Sequence, residues 1–204
     1  MGEKDKGPAT YADIEAAPEH LGAEIIDGVL RTHPRPSIRH GATASALGAK
    51  LSEAFQFGAH SPGGSVFCVE PEIKFGDDFL VPDIAGWRRE RLLDLADTNY
   101  FQIAPDWVCE VLSGSTEKRD RTVKKRIYGK AGVPHMWIVD PRLQVLEVFE
   151  LLGDHWLELG TWNTHEQVSA RPFDAISISL ADLWPLDPPL GLNEDPTPYY
   201  AGDR

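Results

Sequence analysis

The chain has 204 residues, 42% of them hydrophobic, a net charge of −12 and a pI near 4.9. That length and apolar content fit one domain with a sizeable core. The acidity excludes a protein that coats DNA by non-specific phosphate neutralisation. No apolar run reaches the ~18 residues of a membrane helix, and MGEKDKGPATYADIEAAPEH carries no apolar signal core. The two cysteines, Cys68 and Cys109, lie in strand-like runs without a CxxC spacing, so neither a disulfide scaffold nor a zinc cluster is expected. A cytoplasmic protein that does not engage a membrane fits these features.

Residues 1–9 are polar and charged, and read as a disordered N-terminus. Thr10 and Asp13 form a capping-box pattern for a short helix over 11–17. The segments 23–26 and 29–32, joined by Asp27-Gly28, predict a hairpin. Ser37 caps the longest helical pattern of the N-terminal half, 38–57, with Leu47, Leu51, Ala54 and Phe55 on one stripe. Ser61-Pro62-Gly63-Gly64 makes a loop. Three strands follow, at 65–69, 72–75 and 79–87. After a surface segment, 107–112 reads as a buried central strand interrupted only by Glu110. Ser115 or Thr116 caps a helix to about Ala131, which is ended by Gly132 and Pro134. A buried strand at 136–139 and an antiparallel meander over 143–162 follow, with Gly153-Asp154 at its turn. Short strands are expected near Val168 and over 176–180. Residues 185–204 are rich in proline and acid and read as a loose tail. The folded domain is therefore assigned to 10–184, as a mixed α/β (α+β) unit: a central mixed sheet flanked by helices, with an N-terminal hairpin and a C-terminal antiparallel meander.

Two acids stand out because charge in an apolar strand is costly unless paired or metal-bound. These are Asp83, after Pro82, and Glu110. If their strands pair, both carboxylates meet on one sheet face, where a hard cation such as magnesium or manganese would take oxygen ligands. Such an ion activates water and stabilises charge on a phosphoryl group in transfer. Lys124 can add electrostatic stabilisation, and it shares a helix face with Asp120 and Tyr128. Glu24 and Glu70 are possible further ligands. The run 117–130 holds seven basic residues against two acidic ones. Within it Lys118, Arg119, Arg121 and Lys125 are candidates for nucleic-acid contact.

The order and spacing of these residues carry a resemblance. The sequence quotes Glu24-Ile25-Ile26-Asp27-Gly28, His40, Pro82-Asp83, Pro105-Asp106, Glu110-Val111-Leu112-Ser113, Ser115-Thr116, Asp120, Lys124, Tyr128, Ala131-Gly132-Val133 and Trp137-Ile138-Val139-Asp140. Over about 10–183 it resembles the Uma-two type restriction-endonuclease-domain family of the PD-(D/E)XK nuclease superfamily. The resemblance implies a restriction-endonuclease-like core and magnesium-dependent cleavage of DNA. It further implies Asp83 and Glu110 as metal ligands and Lys124 as the catalytic lysine. Two departures stand against it. Leu112 occupies the superfamily's usual lysine position, and His135-Met136 replace the acid and aromatic that usually precede the tryptophan of the last core strand. A weakly active or inactive nuclease-fold binding or assembly module is the alternative. A homodimer through the apolar strands 143–162 is compatible with either.

Overall fold

The computed structural model describes residues 7–58, 63–95 and 97–187. The expectations for 1–6, for Ser61-Pro62 and for 188–204 fall outside the described residues. Thr10 and Asp13 exchange both capping-box bonds at the start of α1 (Tyr11–Glu15). The hairpin forms as β1 (Leu21–Ile26) and β2 (Val29–Pro34), with Ile26 opposite Val29. Asp27 and Gly28 both take positive φ, 51° and 72°, which is the twist a two-residue hairpin turn requires. Ser37 accepts the His40 N–H at the start of α2 (Ile38–Ser52), and a π-helical turn (Glu53–Phe57) extends it.

One predicted strand is corrected. The run 79–87 is two strands in two different sheets, β5 (Asp78–Leu80) and β6 (Ile84–Arg88). Pro82 has no N–H to give to a ladder, so pairing stops there. The chain crosses from one sheet to the other through Val81-Pro82-Asp83. On the near side β5 pairs with β1 and with β4 (Ile73–Phe75), completing a four-stranded antiparallel sheet, β2-β1-β5-β4.

The larger sheet has six strands in the order β10-β9-β8-β7-β6-β3. Its members beyond β6 are β3 (Ser65–Val69), β7 (Trp107–Val111), β8 (His135–Asp140), β9 (Val145–Leu152) and β10 (His155–Asn163). All neighbours are antiparallel except β7 and β8. That parallel pair needs a crossover, which is the helical run 117–130: α3 (Glu117–Arg119), a π-helical turn (Asp120–Lys124) and α4 (Lys125–Lys130). The small pair β11 (Gln167–Val168) and β12 (Ile178–Ser179) follows the meander. Among the described residues no helix is long and apolar enough to cross a membrane.

Side-chain alternation along β7 divides the core. Trp107, Cys109 and Val111 face α2 and the C-terminal segment, where Trp107, Trp137 and Phe173 meet edge to face. Val108 and Leu112 face the other way, toward the four-stranded sheet and α4. Glu110 shares the parity of that second face. Close packing reaches the backbone at Gly86, directly opposite Phe67. A Cβ at Gly86 would come within 2.8 Å of the Phe67 ring, which Trp107 and Phe173 hem in. Gly86→Ala is expected to cost ~1–3 kcal/mol of overpacking strain, read as a lower urea midpoint with an unchanged slope.

Candidate active site

The site lies where the chain passes between the two sheets. Glu110 projects from β7 into a buried cluster and is 2% exposed. Lys124, 4% exposed, reaches it from the π-helical turn of the crossover, with its Nζ 3.2 Å from Glu110 Oε1. The same ammonium lies 2.8 Å from Glu24 Oε1 and 3.7 Å from Asp120 Oδ1, and it donates to the Val81 carbonyl at 3.2 Å. Tyr128, one helical step beyond Lys124, donates its hydroxyl to Glu110 Oε1. The shared face of Asp120, Lys124 and Tyr128 is therefore the face that packs on the sheet. π-helical turns within helices often mark functional positions, and this one carries two of the three residues.

Glu24 enters from the other sheet and is fully buried. Its Oε1 also accepts the Val81 N–H at 3.0 Å. The hairpin thus docks through a carboxylate, and the crossing segment supplies both a donor and an acceptor to the cluster. Asp83 stands beside it with its side chain 16% exposed. Pairing of β6 with β7 ends at Ile84 opposite Cys109. The next outward-facing amide, Val111 N–H, is taken by Asp83 Oδ2 at 2.6 Å, and Asp83 Oδ1 lies 3.1 Å from His40 Nε2.

Electrostatics follow from four carboxylates around one ammonium. Burial disfavours the Lys124 charge, but Glu110, Glu24, Asp120 and Asp83 outweigh it and hold the pKa above its ordinary value. Burial pushes the Glu110 carboxyl well up. Lys124 opposes this, while Asp120 and Asp83 add to it. Asp120 is likewise raised by burial against the pull of Lys124. Glu24 ends below its ordinary value: burial raises it, but Lys124, the Val81 N–H and Arg119 prevail. His40 is raised because Asp83 overcomes the effect of burial.

The remaining candidates are placed less centrally. Glu70 sits at the rim, 3.8 Å from Arg35 and substantially exposed. Arg119 lines the cavity 3.8 Å from Glu24 Oε2. Arg121 is bound to Glu147 at 2.6 Å, Lys125 lies 3.2 Å over the Phe149 ring, and Lys118 is exposed. Leu112 follows Glu110 on the same strand face and packs in the core, 1% exposed. Lys124 instead reaches the Glu110 carboxylate from the crossover helix. His135 is at the opposite end of β8 from this cluster, near Glu150, Arg171 and Asp106. Its substitution therefore leaves the cluster untouched. His40 is the residue that sequence reasoning undervalued. Its spacing with Thr43, Ala44, Leu47 and Leu51 along the buried stripe of α2 was the available signal.

A cavity of about 640 Å³ opens onto Asp83, Glu110, Asp120 and Lys124. Among the described residues no three His, Cys, Asp or Glu side chains stand ready to hold a metal ion. The donors nonetheless suit a hard cation bound by two carboxylates, with water and substrate oxygens completing its shell. All are oxygens, and Glu24 Oε2 and Asp120 Oδ1 are buried without a hydrogen-bond partner. Asp83 and Glu110, the ligand pair expected from the sequence, both line this cavity.

The fold is nuclease-like. The chain belongs to the Uma2 family, described as "Putative restriction endonuclease", whose family model matches residues 8–181. Among solved structures it is similar to one titled as a putative nuclease belonging to DUF820 from Anabaena variabilis. The two share 25% identity and a TM-score of 0.69, over 87% of this chain and 98% of that one. No curated protein matches the chain.

Proposed function

We propose that the protein is a metal-dependent endonuclease that hydrolyses DNA phosphodiester bonds. Asp83 and Glu110 would hold magnesium or manganese, and Lys124 would act as the positive group beside the scissile phosphate. The observation that carries this reading is the convergence of Asp83, Glu110, Asp120 and Lys124 on one cavity, with the Lys124 ammonium 3.2 Å from Glu110 and 3.7 Å from Asp120. The metal, when bound, supplies Lewis-acid activation of water and charge neutralisation at phosphate. The residues of the chain do the remainder. His40 and the Val111 N–H fix the Asp83 carboxylate, and Tyr128 fixes Glu110. Lys124 presents an ammonium whose raised pKa keeps it charged at neutral pH, where it stabilises the anionic transition state.

The inactive-module reading has one observation in its favour: Lys124 is already occupied by Glu24, Glu110 and the Val81 carbonyl. Circular DNA separates the two readings, because opening a circle requires an internal cut. Supercoiled duplex and circular single-stranded DNA are incubated with the protein and magnesium or manganese, with and without chelator. Wild type is expected to open at least one form, and Asp83→Asn to lose ~10²-fold or more of that rate. Neither form opened by wild type would sink the nuclease assignment, and equal rates for the variant would sink the mechanism assigned to Asp83.

A further inference from the structure

We infer that the substrate strand enters this site unpaired, so that single-stranded DNA, or a locally open stretch of duplex, is the preferred substrate. The inference rests on the nuclease reading above. Its first support is depth. Glu110, Asp120 and Lys124 are each no more than 4% exposed, and the cavity above them is about 640 Å³. A space of that order holds one small organic molecule, which is the scale of a nucleotide or two and not of a helix presenting both strands. The walls are part of the fold. The end of α1, the hairpin residues Gly22 and His33, the 113–116 turn and Pro141-Arg142 all line the cavity. A phosphodiester must descend between them to reach Asp83 and Glu110.

The second support is charge. Duplex DNA presents about one negative charge per ~1.7 Å of its axis, and its binding rests on several free lysines or arginines. Each of the four cavity arginines lies near a carboxylate of the same chain, Arg39 and Arg142 at 2.6 Å and Arg35 and Arg119 at 3.8 Å. Arg35 pairs with Glu70, Arg39 with Asp187 at 2.6 Å, Arg119 with Glu24, and Arg142 with Glu117 and Asp140. On a chain of net charge −12, that leaves a poor track for a duplex backbone. A flexible single strand needs fewer phosphate contacts and pays nothing to leave a stack.

The test uses the full chain and three fluorescein-labelled DNAs of one sequence: a single strand, a blunt duplex, and a duplex with a central unpaired stretch. Cleavage is followed with magnesium or manganese, and binding by anisotropy without divalent metal. The single strand and the unpaired stretch are expected to be cut, with the blunt duplex at least ~10-fold slower, the penalty of unpairing and unstacking. Equal or faster cutting of the blunt duplex, or cuts within the paired arms, overturns the inference while leaving the nuclease intact. If no DNA is cut, the nuclease reading fails and anisotropy decides the rest. Tighter binding of the single strand then supports the cavity argument, and equal binding of strand and duplex overturns it.

Discussion

Lys124→Met is expected to lose ~3–5 kcal/mol of folding stability, the cost of stranding a buried charge partner. In a domain of this size that is ~10 °C or more in melting temperature. Removing the ammonium leaves Glu24, Glu110 and Asp120 buried around an uncharged side chain. Glu24 then loses the attraction that holds its pKa down, so burial raises all three acids. A raised carboxyl favours folding fully only below its unfolded pKa, and that contribution is lost as pH rises through the folded value. The deficit should therefore shrink toward pH ~4 and widen toward neutrality. Urea titrations of both proteins across that range give the answer. A variant as stable as wild type at neutral pH, or a deficit independent of pH, would remove the central role assigned to this lysine. Cleavage should also be lost at temperatures where the variant remains folded.

Glu110→Gln keeps the shape of the side chain and removes its charge. Cleavage is expected to fall by ~10²-fold or more, comparable to deleting one preorganised electrostatic group. The variant also carries a signature of the carboxyl's burial, read in stability and separate from cleavage. In wild type the Glu110 pKa is raised well above its ordinary 4.5, first by burial, against Lys124, with Asp120 and Asp83 adding. The folded state thus holds this proton more tightly than the unfolded chain. Its contribution is present below about 4.5 and declines as pH rises toward the folded value. The amide has no such titration, so the decline should be shallower in the variant as pH rises above about 4.5. Identical pH slopes would show that Glu110 is an ordinary ionised carboxylate. Unchanged cleavage would show that it is not part of the site.

Much of this arrangement was legible because it is local. Asp-Gly between two alternating segments specifies a two-residue turn, and Asp27 and Gly28 adopt the required positive φ. Glu110 announced itself as the lone charge in an apolar strand, and Asp120, Lys124 and Tyr128 as a helix face. What the sequence concealed was the pairing of distant segments. Reading 79–87 as one strand overlooked what Pro82 does to a ladder and hid the passage between sheets. Glu24 could be suspected but not placed, because its partners lie at Val81 and Lys124. The same limit applies to the basic run. Counting charge along 117–130 suggested a free cationic face. In three dimensions Arg121 finds Glu147, Arg126 finds Asp27, and Lys125 covers Phe149.

The passage through Val81-Pro82-Asp83 has a wider consequence. Two of its residues, Val81 and Asp83, bond to a hairpin acid, a crossover lysine, an α2 histidine and a β7 amide. The hairpin sheet is therefore latched to the rest of the molecule at the spot where the chemistry is proposed. Any fluctuation that lifts the hairpin pulls Glu24 from Lys124 and unseats the Val81 amide, so fraying of the N-terminal third and dismantling of the site are one event. In hydrogen-exchange terms, the amide of Val81 and those of β1 should exchange as a single cooperative unit. Whatever occupies the cavity and ties Asp83 to Glu110 would slow that unit's opening, although it sits far from the hairpin turn itself.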